Sequence, residues 1–320
     1  MATGKRHRQS ARRASGVLLS GDGVVHDADG IILDGIGSTI TNAGLIDSTG
    51  SAGSLNVREE GTTTVTNSGT MNGDVAGIWH KCGLGTLVVT NTGTISSANH
   101  AILGGYSEDL ITNRGTMIGI VDLGGGNDIL DNRGGNIDGT VCGGNGDDHF
   151  RLGKSAEIID GGQGFDTIDL SSYVAKFTVD LANSANNKGA AVVPDTYFGI
   201  EAVLDGTKAD ILVGDSGDNL LVGIKGRDDL SGGAGADTLD GGKSRDTLTG
   251  GNGEDVFQFT AIQGGVDTIN NVDSGHDMIY LEGSRFGQGS ATGAVSASVF
   301  LISTTNIAED SSDRLIFQYN

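Results

Sequence analysis

The fold is decided by residues 205–258, which read Asp205-Gly206-Thr-Lys208-Ala-Asp210-Ile-Leu212-Val, Gly214-Asp215-Ser216-Gly217-Asp218-Asn219-Leu-Leu221-Val, Gly223-Ile-Lys225-Gly-Arg227-Asp228-Asp-Leu230-Ser, Gly232-Gly233-Ala-Gly235-Ala-Asp237-Thr-Leu239-Asp, Gly241-Gly242-Lys243-Ser-Arg245-Asp246-Thr-Leu248-Thr and Gly250-Gly251-Asn-Gly253-Glu254-Asp255-Val-Phe257-Gln. Six nine-residue units follow one another without a gap. Each carries Asp or Asn at its sixth position and Leu or Phe at its eighth. The first six residues of a unit make a glycine-rich turn, whose glycines accept backbone angles closed to other residues. The last three make a short strand with the eighth residue turned inward. Two units close one coil, so each unit stacks on the next but one at about 4.8 Å. This predicts an all-β parallel solenoid. The composition agrees: glycine supplies 56 of 320 residues against a single proline, aromatics are 5%, and no Gly-X-Y period is present, which excludes collagen and a thick helix-packed core.

The same unit occurs earlier. Gly143-Gly144-Asn-Gly146-Asp-Asp148-His-Phe150-Arg and Gly161-Gly162-Gln-Gly164-Phe-Asp166-Thr-Ile168-Asp match it in full. Asp148 and Asp166 stack, while the aligned positions on the opposite edge are Gly139 and Glu157. Asp128, in Leu123-Gly-Gly-Gly-Asn-Asp128, stands two positions too far before Asp148 for a coil of two exact repeats, so either a two-residue bulge intervenes or its site is lost. In the later block one edge carries Asp210, Asp228 and Asp246, with Lys208, Lys225, Arg227, Lys243 and Arg245 on its turns. The other edge carries Asn219, Asp237 and Asp255, adds Asp215, Asp218 and Glu254, and has no basic residue.

The repeat G-G-x-G-x-D-x-U-x resembles the RTX (hemolysin-type) calcium-binding repeat. The segments 166–170, 178–181 and 199–201 are similar to the spacer between RTX blocks, and 255–259, 265–269 and 275–281 to the strand-rich segment after the last repeat. The resemblance implies several Ca2+ ions between stacked turns, held by Asp128, Asp148, Asp166, Asp210, Asn219, Asp228, Asp237, Asp246 and Asp255 with the loop glycines of their units. Two carboxylates about 4.8 Å apart repel by about 0.9 kcal/mol in water and about 3.5 kcal/mol at an effective dielectric of about 20. A hard dication with 6–8 oxygen ligands reverses that sign, so metal binding becomes folding energy. The tightest site is expected between the repeats at 232 and 250, and a weaker one where Asn219 replaces a carboxylate. The basic row is either a solubility device or a contact strip for anionic polysaccharide.

Residues 30–122 carry a looser repeat, Asn-x-Gly followed by apolar residues, at Asn42, Asn67, Asn91 and Asn113, with a fifth copy at Asn132; each interval is shorter than the one before it. Coils of roughly 20–25 residues with glycine corners suit an irregular right-handed β-helix. Asparagine at a repeated corner can stack as a ladder. The segment is similar in architecture to the β-helices of polysaccharide-acting enzymes and bacterial surface proteins.

The resulting organisation is a basic, disordered tail (1–29), a degenerate β-helix (30–122), a first β-roll block (123–170), spacer strands (171–204), a second block (205–258) and a C-terminal cap with a secretion-signal region (259–320). A formal charge of −21 argues against nucleic acid or an anionic membrane as partner, although Lys5, Arg6, Arg8, Arg12 and Arg13 cluster at the N-terminus. No apolar run is long enough for a transmembrane helix or a cleaved secretory signal. RTX proteins leave through a type I secretion apparatus using an uncleaved C-terminal signal, and Ala308–Phe317 resembles their closing segment; the chain stops at Asn320, where many relatives continue into a further hairpin.

No zinc-protease His pair, Gly-x-Ser-x-Gly elbow or phosphate loop is present. Gly214-Asp-Ser216-Gly217 falls in repeat register and is read as a turn. Trp79-His80-Lys81 is read as an exposed coil edge, and Cys82 as an inert buried thiol. Calcium binding coupled to folding of a secreted, extracellular or surface-associated bacterial protein is therefore the leading expectation, with extracellular polysaccharide or a cell surface as partner. A calcium-dependent polysaccharide lyase or hydrolase using the β-helix face, and a biofilm or host-surface adhesin, stay open; an enzyme is the lesser reading.

Overall fold

A computed structural model of the chain describes residues 17–19, 24–27, 30–33, 37–48, 53–58, 60–80, 85–153, 157–189, 195–260, 267–273, 276–281 and 293–296. The basic cluster at 5–13, Lys81, Cys82 and the segment 308–317 lie outside them. The structure is an all-β parallel solenoid, and the chain forms two compact units: the first reaches Thr167 and includes Asp195–Ile200, and the second comprises Ile168–Pro194 and the chain from Glu201 onward.

In the first unit, one parallel ladder stacks Val17–Leu19, Thr39–Asn42, Thr63–Asn67, Leu87–Asn91, Leu110–Asn113, Ile129–Asp131 and His149–Arg151. A second stacks Val24–Asp27, Leu45–Ser48, Thr70–Gly73, Thr94–Leu103, Thr116–Gly125, Thr140–Asn145, Ile158–Gln163 and Thr196–Phe198. The first two strands of these ladders fall inside the segment expected to be a disordered tail. Val17 pairs with Ile40 and Val25 with Ile46, so these strands already continue the stack.

The early coils have a third side, Ile31–Leu33, Leu55–Val57 and Ala76–His80, which explains why they are longer than the later ones. That side then disappears. Between Thr94–Leu103 and Thr116–Gly125 the register moves from Ser96↔Ile118 through His100↔Ile120 to Ile102↔Val121. The partner thus draws three positions nearer within one pair of strands, and the three-sided coil becomes a two-sided one. The inward column Ile40, Val65, Val89, Ile111, Leu130 and Phe150 stays in register through the change and is buried throughout.

The asparagine corners form the expected ladder. The Nδ2 of Asn42 donates to Oδ1 of Asn67 (2.8 Å), Asn67 to Asn91 (2.8 Å), Asn91 to Asn113 (2.8 Å) and Asn113 to Asn132 (2.7 Å). The column ends on a carboxylate, where Asn132 donates to Oε1 of Glu157. Glu157, which the repeat spacing aligned with the aspartates, is thereby removed from their role. Its two oxygens also accept from the Gly153 N–H, and burial raises its carboxyl to about 7.

In the second unit, one ladder stacks Phe177–Asp180, Ile211–Val213, Asp229–Ala234, Thr247–Asn252 and Thr268–Asn270, and the other Ala202–Leu204, Leu220–Val222, Thr238–Asp240, Val256–Phe259 and Met278–Leu281. Leu212 pairs with Leu230 and Leu221 with Leu239, each partner lying two repeats on. All six eighth-position residues are fully buried. Leucines one rung apart supply the apolar area, at roughly 25 cal/mol per Å2, that holds a coil with so few residues per turn.

Candidate metal centre

The sixth residue of each repeat is tied to the coil beyond it. The N–H of Asp128 donates to Oδ1 of Asp148 (2.8 Å), and that of Asp148 to Asp166 (2.7 Å). In the second unit one edge runs Asp210 to Asp228 (2.9 Å) and Asp228 to Asp246 (2.9 Å). The other runs Asn219 to Asp237 (2.8 Å) and Asp237 to Asp255 (3.0 Å). Every predicted aspartate is therefore brought into a column. Asp128 keeps its place because the two additional residues are accommodated elsewhere. Asp131 pairs with Arg151, whereas Thr140 finds its partner Ile158 two positions nearer, so the change falls in the corner at 132–139, away from the aspartate.

Three further aspartates belong to the columns. Asp109 precedes Asp128, Asp267 follows Asp246 (2.9 Å) and Asp277 follows Asp255 (3.1 Å). Their sequence signal is Asp-x-apolar with only part of the glycine pattern, as in Asp109-Leu-Ile111 (Gly104 and Gly105 at the first two positions), Asp267-Thr-Ile269 and Asp277-Met-Ile279 (Gly265 and Gly275 at the fourth). The glycine pattern hides them.

In most of these carboxylates one oxygen is thus satisfied and the other is not, whereas Asp277 also accepts the Asp273 N–H on Oδ2 (2.6 Å). Among the described residues, Oδ2 of Asp109, Asp128, Asp148, Asp210, Asp228, Asp237, Asp246 and Asp255 is buried without a hydrogen-bond partner. The first glycine of the repeat makes room for it. A Cβ on Gly143, Gly161, Gly232, Gly241 or Gly250 would meet the carboxylate of Asp148, Asp166, Asp237, Asp246 or Asp255. Positive φ falls instead on the second and fourth positions, as at Gly251 (121°) and Gly253 (146°), where a Cβ would also strike the carbonyls of Gly233 and Gly235 in the coil before. Gly144, Gly146, Gly162, Gly164, Gly233 and Gly235 share that conformation, and Gly242 has φ of 79°.

Removal from water dominates the electrostatics. Desolvation pushes the carboxyls of Asp148, Asp228 and Asp246 up to about 7 and that of Asp237 up to about 6; the neighbour's N–H opposes the shift and stacked carboxylates add to it. The two edges of the second unit differ. Lys208, Lys225, Arg227, Lys243 and Arg245 are all exposed on one of them. That edge also holds Ile224 and Ser244 at φ of 54° and 107°, where the repeat calls for glycine. On the other edge Asn219 accepts from the Asp215 N–H (2.7 Å), and Gly217 N–H donates to Asp215 (2.8 Å), so 214–219 is a closed turn with Ser216 exposed on it.

A column of buried carboxylate oxygens beside glycine turns is what the family model described as RTX calcium-binding nonapeptide repeat (4 copies) captures, and that model matches residues 133–168, 204–239 and 222–257. The chain carries RTX calcium-binding repeats. A search of curated proteins finds no match. The matched stretches include Asp148 and Asp166 and both edges of the second unit. The donor set suits the ion: the orphaned groups of the matched repeats are hard carboxylate oxygens flanked by backbone carbonyls.

Two other expectations are settled by position. His80 is not on an exposed edge; it is 2% exposed, turned inward by the alternation of Ala76–His80, with its Nδ1 3.8 Å from Asp109 Oδ2. Among the described residues no helix is long and apolar enough to cross a membrane.

Proposed function

We propose that the aspartate columns hold several calcium ions, that calcium binding is coupled to folding of the coils that carry them, and that the protein works outside the cell as a secreted structural or surface-associated bacterial protein exported by type I secretion. The observation that supports this reading is the row of buried Oδ2 atoms without donors. Each is costly to bury as an unpaired charge, and a dication shared between successive carboxylates offsets that cost. Asp128, Asp148, Asp166, Asp210, Asp228, Asp237, Asp246 and Asp255 would serve as carboxylate ligands, Asn219 as a neutral one, and the turn glycines of their repeats would contribute carbonyls. Extracellular modules bind calcium at roughly 10⁻⁴–10⁻³ M, which keeps such coils open where calcium is scarce and closes them where it is abundant.

The test is a calcium titration of the full chain followed by far-UV circular dichroism and thermal unfolding, with magnesium as control. A cooperative gain of β structure near millimolar calcium, absent with magnesium, is expected. A chain equally folded in chelator, with no shift on adding calcium, would overturn the coupling.

A second reading draws on the basic row. Lys225 and Lys243 pair directly across adjacent coils, and with Lys208, Arg227 and Arg245 they give stacked turns a line of exposed cations on a strongly acidic chain. An adhesin that grips anionic polysaccharide along this edge would use them. Retention on an immobilised acidic polysaccharide, lost when the five are changed to Gln, tests it.

A further inference from the structure

Asp205 stands at the first position of its repeat, where Gly143, Gly161, Gly223, Gly232, Gly241 and Gly250 stand in the other repeats with aspartate at the sixth position. In those repeats the missing side chain leaves room for one carboxylate. Here a second carboxylate is built into the same space. Asp205 follows the strand Ala202–Leu204, its N–H donating to the Val222 carbonyl (2.8 Å), and it is 0% exposed. Its Oδ1 accepts from the Gly206 N–H (2.5 Å). Asp210 Oδ1 accepts from the Phe177 N–H (2.5 Å), and Asp228 Oδ1 from the Asp210 N–H (2.9 Å). The remaining oxygen of each, Oδ2, is buried and without a hydrogen-bond partner among the described residues. Ligand oxygens from the three residues lie within 4.8 Å of one another, and no other group of three acids, histidines or cysteines among the described residues is so close.

We propose that Asp205, Asp210 and Asp228 form a three-carboxylate calcium site and that it is the tightest site of the chain. The inference rests on the RTX reading above and revises its ranking of sites. Elsewhere in the columns successive coils bring together two carboxylates; here three converge. Calcium affinity rises with the number of charged ligands and with the rigidity of the cage, and all three carboxylates are fixed through Oδ1 by backbone donors. The exposed Lys208, Lys225 and Arg227 nearby in sequence are solvated on the turns and are screened more strongly than a buried ion would be.

The experiment compares full-length wild type, Asp205→Asn, Asp205→Gly and Asp237→Asn by calorimetric titration with calcium after chelator treatment. Circular dichroism at saturating calcium checks that each variant folds. In both Asp205 variants the tightest class of sites weakens at least about tenfold, equivalent to about 1.4 kcal/mol, while the weaker classes remain; Asp237→Asn changes a weaker class and spares the tightest. Asp205→Gly restores the residue found at this position in the other repeats, so it decides the matter should Asp205→Asn not fold. If both Asp205 variants titrate like wild type or bind more tightly, as they would if Asp205 and Asp210 merely share a proton, the three-carboxylate site is wrong while the RTX reading stands. If wild type takes up no calcium, the RTX reading falls with it.

Discussion

Asparagines 42, 67, 91, 113 and 132 and the aspartates at the sixth position of the repeats solve the same problem with side chains that differ by one atom. Both place one short polar residue per coil in a buried column, and both tie each coil to the next. An amide is donor and acceptor at once. Asn67 accepts from Asn42, donates to Asn91, and also donates to the Thr94 carbonyl (3.1 Å), so the column closes on itself. A carboxylate only accepts. It takes one N–H on Oδ1 and leaves Oδ2 orphaned at Asp109, Asp128, Asp148, Asp210, Asp228, Asp237, Asp246 and Asp255. The asparagine column is complete as a protein structure, whereas the aspartate column is complete only with something positive in it. On the proposed reading the first column needs nothing added and the second needs a cation, within a single architecture.

The largest effect follows from removing the cation. A ligand present at 100 times its Kd stabilises the folded state by about 2.7 kcal/mol per site, so several sites together exceed the margin of a typical domain. In chelator, hydrogen exchange is expected to accelerate by orders of magnitude in Leu220–Val222, Thr238–Asp240 and Val256–Phe259. Thr63–Asn67 and Leu87–Asn91 should stay protected. Equal exchange in both sets would mean that the two columns are energetically alike.

Acid should partly replace the cation. The carboxyls of Asp148, Asp228 and Asp246, raised to about 7, and of Asp237, raised to about 6, stand above their ordinary value of 3.8. Between those limits the folded chain binds more protons than the unfolded one, so stability without calcium falls as pH rises through the window from about 4 to about 7. With calcium the carboxylates are held ionised, as they already are in the unfolded chain above about pH 5, so the slope flattens. Urea midpoints are therefore expected to be higher at pH 5 than at pH 7.5 in chelator and nearly equal in calcium, and parallel slopes would break the comparison.

Exchanging one atom in the asparagine column sharpens it from the other side. Asn91→Asp removes the donors to Asn113 Oδ1 (2.8 Å), the Thr116 carbonyl (3.2 Å) and the Gly93 carbonyl (3.3 Å) and sets a buried carboxylate against all three acceptors. An uncompensated buried charge costs about 3–5 kcal/mol. The loss in thermal stability should be of that size and should not recover with calcium, because the column neighbours Asn67 and Asn113 are neutral amides and supply no second carboxylate beside the new one.

How much of this is legible depends on how strictly the sequence repeats. Leu212, Leu221, Leu230, Leu239, Leu248 and Phe257 recur at every repeat, so both the coil and its core can be read from spacing alone. The asparagine corners draw steadily closer along the chain, and the cause is hidden: a side of the coil vanishes between Ser96 and Ile102, where pairing and not composition changes. His80 escapes a sequence reading because a run of polar and aromatic neighbours says nothing about which of them alternates inward. Asp205 escapes it because it breaks the consensus at a glycine, and that departure is what adds a third carboxylate.

The two edges of the second unit supply the smallest and most local test. Gly233 and Gly251 hold the second turn position on one edge, whereas the other edge places Ile224 there at φ of 54°. A left-handed conformation costs a β-branched residue roughly 1–2 kcal/mol. Glycine removes that strain but loses about 0.5–1 kcal/mol of chain entropy. Ile224 is only partly buried, so little apolar area is lost with its side chain. Ile224→Gly is thus expected to stabilise the calcium-loaded chain by up to about 1 kcal/mol, the difference between those two terms, read as a higher urea midpoint at unchanged m-value. A drop would mean that the Ile224 side chain holds the basic turn in place by packing, and that the two edges differ by more than backbone strain.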